Sequence, residues 1–77
     1  MKSAMTAHLG WPSLTRSERE LAELVGDGLT NKEAAARLFV SRHTVDAHLR
    51  RIYRKLDISS RVQLARVVVM NTAPAVS

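Results

Sequence analysis

Ser41-Arg42-His43-Thr44-Val45-Asp46-Ala47-His48-Leu49-Arg50-Arg51-Ile52-Tyr53-Arg54-Lys55-Leu56 reads as one amphipathic helix with a basic outer face, and this stretch decides the fold. Val45, Leu49, Ile52 and Leu56 follow one another at intervals of four, three and four. At about 100° per residue they form a single apolar stripe that must face a core. His43, Ala47, Arg50, Arg51 and Arg54 fall on the opposite side, with Asp46 at one margin and Lys55 at the other. Ser41 is a good N-cap, and Val40 before it is placed to pack on Val45 as a hydrophobic staple.

Working outward, Thr30-Asn31-Lys32-Glu33 has the form of a capping box and opens a short helix with Ala34, Ala35 and Leu38 on its inner face. It ends near Phe39, so only Phe39 and Val40 separate it from Ser41. A connection this short predicts two helices crossing at roughly 90–120°, a helix-turn-helix. Upstream, Thr15 and Glu18 form another capping box, and Leu21, Leu24 and Val25 line the inner face of the helix that follows. Ala22 sits at its edge, and Gly26 and Gly28 stop it. Its outer face is predicted to be acidic. Downstream, Asp57-Ile58-Ser59 reads as a loop, and Ser60 with Gln63 as a third capping box for a last helix from about Arg61 to Met70. The run Val67-Val68-Val69 has strand propensity, but one isolated strand has no partner, so helix is the better reading.

The fold class is therefore all-α, a four-helix bundle containing a helix-turn-helix. Residues 1–13, where Pro12 disfavours helix at Trp11, read as a flexible linker or an artificial chain end; residues 14–70 form the domain; residues 71–77 read as a disordered tail.

Seventy-seven residues make one small domain whose core is only just sufficient. With no cysteine there is neither a disulfide framework nor a thiolate metal site, in keeping with a reducing cytoplasm. No apolar run reaches the length of a membrane span or a signal peptide, so a cytoplasmic protein without a membrane partner is expected. Twelve Lys and Arg against seven Asp and Glu give +5. Most of the basic residues are arginine, whose fork suits phosphate and guanine. Charge is polarised along the chain. Arg42, Arg50, Arg51, Arg54 and Lys55 face only Asp46 in the central helix, whereas Glu18, Glu20, Glu23 and Asp27 outnumber Arg19 before it. A polyanionic partner follows, although exposed helix faces are also commonly charged for solubility alone.

Other chemistry finds little support. His43 and His48 are five apart and do not share a helix face, and His8 lies outside the domain, so no metal site is expected. There is no glycine-rich phosphate loop, no activated nucleophile and no paired carboxylates. The sequence predicts no enzyme, no cofactor and no small-molecule ligand.

Taken together, Leu14-Thr15 with Glu18, Gly28-Leu29-Thr30-Asn31-Lys32-Glu33, Val40-Ser41 with Thr44-Val45, His48, Ile52, Lys55-Leu56 and Ser60-Arg61 resemble the LuxR-type helix-turn-helix domain over about Leu14 to Val69. The resemblance implies the C-terminal output module of a bacterial transcription regulator, binding double-stranded DNA with its third helix in the major groove. It implies base contacts from Asp46, Ala47 and Arg50, with His43 beside them and Thr44 near the backbone, and makes His48 a packing or backbone-contact residue. Arg50 is the best base reader, because its fork can grip guanine O6 and N7. Thr30, Asn31 and Lys32 would offer a helix N-terminus and an ammonium to phosphate, although Thr30 and Glu33 also cap the helix. Arg51, Arg54 and Lys55 would touch phosphate or stay solvated.

Asp46 departs from the family, where lysine is common. Its carboxylate would be repelled by phosphates and would pair with Arg50 four residues on, lowering affinity. Alternatively it would accept from cytosine N4 and add selectivity. Lowered affinity is the preferred reading, and it keeps open a second function, a helix-turn-helix module that docks an acidic protein or its own parent chain rather than binding specific DNA. The last helix has an apolar arc broader than one core contact needs. Its Val62, Ala65, Arg66 and Val69 are expected to form a homodimer contact, established either in solution or only on DNA. The two recognition helices would then lie about 34 Å apart.

Overall fold

The computed structural model describes residues 10–72. The readings made for residues 1–9 and 73–77 lie outside them. Four α-helices follow in chain order: α1 Arg16–Gly26, α2 Asn31–Leu38, α3 Arg42–Leu56 and α4 Arg61–Thr72, with a single 3-10 turn at Trp11–Ser13 in front. There is no strand among the described residues. The core is one cluster: Leu14, Leu21, Ala22 and Val25 from the α1 region, Ala34 and Ala35 from α2, Val45, Leu49 and Ile52 from α3, and Leu64 and Val68 from α4. The apolar stripe of α3 is thus the face that packs. Truncating one of its fully buried members, such as Ile52, removes about 2–5 kcal/mol from a domain of this size.

Local chemistry explains where the helices begin. The Thr15 hydroxyl accepts from the Glu18 N–H at 3.1 Å, and the Glu18 carboxylate accepts from the Thr15 N–H at 2.9 Å. Thr30 and Glu33 repeat this at 3.1 and 2.8 Å. Ser41 caps α3 by accepting from the Thr44 N–H at 3.0 Å. At α4 the expected box is altered. Ser60 accepts from the Gln63 N–H at 3.2 Å, but the Gln63 carbonyl reaches one residue further back, to the Ser59 N–H at 2.7 Å. That helix runs on to Thr72, two residues beyond the expected end, with the Asn71 amide and Thr72 hydroxyl donating to the carbonyls of Val67 and Val68.

Three helices end in the same way. After α1, α2 and α3 a residue with left-handed backbone follows: Gly28 (φ 98), Phe39 (φ 60) and Asp57 (φ 57). In each case the N–H one position further donates back to a carbonyl of the last turn: Leu29 to Leu24, Val40 to Ala35, and Ile58 to Tyr53. This is the Schellman arrangement. Glycine occupies that position without cost, whereas a side chain there is strained. Phe39 is therefore an unusual choice, and it is 93% exposed.

Three expectations change. The turn Trp11–Ser13 is docked, not a loose lead-in: the Gly10 N–H donates to the Lys55 carbonyl, and Trp11 packs against the core. Proline fits the start of a helical turn, and the indole supplies the apolar area that holds the segment down. Ala22 is wholly buried instead of lying at an edge. Gly26 serves packing more than termination, because a Cβ there would stand 3.0 Å from Val68. The absence of a side chain lets α1 and α4 approach closely.

Candidate nucleic-acid interface

The outer face of α3 is presented by the two-residue turn Phe39–Val40. Arg42, His43, Asp46, Ala47, Arg50, Arg51 and Arg54 are all exposed, while Val45, Leu49 and Ile52 opposite them are buried. Thr44 is half-buried, and its hydroxyl lies 3.0 Å from that of Ser41. His48 is half-buried as well and lines a cleft with Leu21, Leu38, Val40 and Val45. Val40 and Val45 share this cleft, where the staple was expected. Among the described residues no group of three or more His, Cys, Asp and Glu side chains could hold a metal.

Two of the charged side chains predicted for this face are engaged elsewhere. Lys55 turns inward: its ammonium donates to Glu18 at 2.7 Å and to the Ser13 carbonyl at 3.1 Å, and its side chain is 26% exposed against 2% for Glu18. The Lys55 ammonium, expected at phosphate or in solvent, is taken up by these two acceptors in the free domain. Glu18, read from the sequence as half of a capping box, is also the buried charged residue of the described core. Burial pushes its carboxyl up. The hydrogen bonds from Lys55 and from the Thr15 N–H, with the charges of Lys55 and Arg51, outweigh this and hold it below its ordinary value of 4.5. One carboxylate oxygen thus caps α1 and ties α1 to the far end of α3.

The second is Asp46. Its expected ion pair with Arg50 is not formed, and the carboxylate instead accepts from the Asn31 amide at 2.8 Å. Asn31 in turn accepts from Arg61 at 2.8 Å, and the other prong of that guanidinium donates to the Leu29 carbonyl, also at 2.8 Å. A polar chain therefore joins α4, α2 and α3. The Asn31 side chain is taken up by this chain, while its backbone N–H, part of the helix N-terminus expected at phosphate, is not. At the start of α2 the Glu33 and Ala34 N–H groups are taken by Thr30, so those of Asn31 and Lys32 are the unused donors of the first turn. The Lys32 side chain is exposed beside them.

On the last helix Leu64 and Val68 are buried, whereas Val62, Ala65, Arg66, Val69 and Met70 line an open, mostly apolar groove. Val62, Val69 and Met70 are 67, 60 and 80% exposed. These are the side chains expected at a dimer contact, with Met70 added; its place beside Val69 one turn beyond Arg66 was readable from the helix period.

A short second helix, a tight turn and a third helix with one buried and one basic face define a helix-turn-helix module. Residues 12–68 match the GerE family, bacterial regulatory proteins of the luxR family, and the chain belongs to that family. As such it is a DNA-binding domain of transcription regulation. It is 48% identical over 66 residues to a protein of Mycobacterium bovis that is assigned by name to the HTH-type transcriptional regulators. That match covers 86% of this chain and 8% of the relative. It is 45% identical over 53 residues to the transcriptional regulatory protein LiaR of Bacillus subtilis, covering 69% of this chain and 25% of LiaR. A nitrate/nitrite response regulator homolog of Haemophilus influenzae is 46% identical over 50 residues, covering 65% of this chain and 24% of that protein. The chain thus spans a small part of the length of the curated relatives it matches.

Proposed function

We propose that this domain is the output module of a cytoplasmic transcription regulator and binds double-stranded DNA in a sequence-specific manner, with α3 in the major groove. The observation that carries this reading is the division of α3 into a buried apolar face and an exposed face bearing Arg50, Arg51 and Arg54, presented by a tight turn. A helix of this kind is the size of object the groove admits. Arg50 reads guanine. Asp46, Ala47 and His43 lie over base edges beside it. Thr44, Arg51 and Arg54 face the backbone, and the free N–H groups and ammonium at Asn31 and Lys32 anchor α2 to a phosphate. Val62, Ala65, Arg66 and Val69 join two copies on a palindromic site. Asp46, the feature that favoured a protein-binding module, is satisfied by Asn31 with Arg61 behind it, so nothing in the geometry favours that second reading.

The test is the salt dependence of duplex binding. With about four phosphates met per protomer, log K falls against log salt with a slope of about −4 per protomer. Arg54→Ala reduces that slope by about 1 and weakens all sequences alike, whereas Arg50→Ala costs about 1–3 kcal/mol at one base pair. Binding that ignores salt refutes this mechanism.

A further inference from the structure

We propose that Asp46 is a specificity-determining residue that accepts a hydrogen bond from a cytosine amino group, and that Asn31 and Arg61 are the positioning residues that hold it for this role. The proposal rests on the DNA-binding reading above and names what one position of the site would be.

Three observations lead to it. First, the orientation of the Asn31 amide is unambiguous: the Arg61 guanidinium requires an acceptor and the Asp46 carboxylate requires a donor, and one orientation alone serves both. The carboxylate is therefore held at Oδ1, and among the described residues no other side chain donates to it, which leaves acceptor capacity free on an exposed residue. Second, no ion pair links Asp46 to Arg50. The ion pairs among the described residues are Arg16–Glu20 and Lys55–Glu18. Both side chains are thus available, one turn apart on the outer face of α3, with opposite hydrogen-bonding character. Arginine seeks the acceptors of guanine; a carboxylate seeks the amino donor that cytosine presents in the major groove. Third, the positive charge of Arg61 lies directly behind the amide that grips Asp46. This charge offsets the repulsion that an isolated carboxylate would meet near phosphates, which weighs against a purely repulsive role.

The experiment selects duplexes from a random pool with the wild-type chain, then measures affinities for the selected site and its single-base variants by fluorescence anisotropy. It is repeated with Asp46→Ala, Asn31→Ala and Arg61→Ala, each with its melting temperature. The expected result is a cytosine preferred by about fivefold or more at one position of each half-site. Asp46→Ala abolishes that preference and leaves the guanine position intact. Asn31→Ala and Arg61→Ala weaken it at the same position while the other positions keep their preferences, which a general structural defect would not do. If Asp46→Ala tightens binding to every sequence alike, the carboxylate only repels and the proposal fails. If the wild type selects a site with no position sensitive to Asp46, the proposal fails while DNA recognition stands. If no duplex is selected above a salt-dependent background, specific DNA recognition itself fails.

Discussion

Each end of α3 carries a polar contact to another helix, and the two contacts differ in one physical respect. At the C-terminal end Lys55 meets Glu18 in a site that excludes solvent almost completely from the carboxylate; at the N-terminal end Asp46 meets Asn31 in the open. Removing one partner of a buried pair strands a charge in a poorly solvated place and costs several kcal/mol, whereas an exposed partner is taken up by water at little cost. The same helix is thus fastened at one end and left adjustable at the other. The adjustable end is the one that faces the groove in the proposed complex.

The largest expected effect is Glu18→Ala, which removes the α1 cap and leaves the Lys55 ammonium half-buried without its carboxylate. A loss of about 2–4 kcal/mol in urea unfolding is expected. A loss below about 1 kcal/mol would show that the buried end is no stronger than the exposed one. Acid should attack the same end. The folded carboxyl titrates below its ordinary value of 4.5, so its contribution is fully present above that value and disappears as pH falls through the folded one. The stability gap between wild type and Glu18→Gln should therefore be constant near neutrality and narrow below pH 4.5. The smallest effect belongs to the exposed end. Asp46→Ala should change thermal stability by no more than about 0.5 kcal/mol while altering DNA preference. If it unfolds the domain as Glu18→Ala does, the contrast between the two ends collapses.

The same contrast explains what could be read before the fold was known. Helix starts were legible because a capping box is local: Thr15 with Glu18, Thr30 with Glu33 and the cap at Ser41 all reappear as hydrogen bonds three residues apart. The inner face of α3 was legible from its period. The partners of Glu18 and Asp46 were not, because they lie 37 and 15 residues away. Local reasoning stopped at the Thr15 capping box for the first and supplied Arg50 for the second. The partners of Lys55 were hidden for the same reason, since a lysine at the margin of a wheel is assigned to solvent unless the crossing helix is known. Trp11 was missed because its contacts are with the core and its chain neighbours suggested a linker. One signal could have found it: a lone tryptophan beside a proline seldom lacks an apolar surface to lie on.

The Lys55–Glu18 pair also bears on the order in which the chain assembles. It spans 37 residues and encloses α1, α2 and α3 in one loop, while the capping boxes span three. Closing a loop of that length carries an entropic cost of about 3 kcal/mol, more than one polar contact returns. The pair therefore forms only after the apolar faces of α1 and α3 have met. A contact made that late leaves the folding rate nearly untouched and acts on the unfolding rate, so Glu18 and Lys55 set how long the folded domain lasts more than how fast it appears.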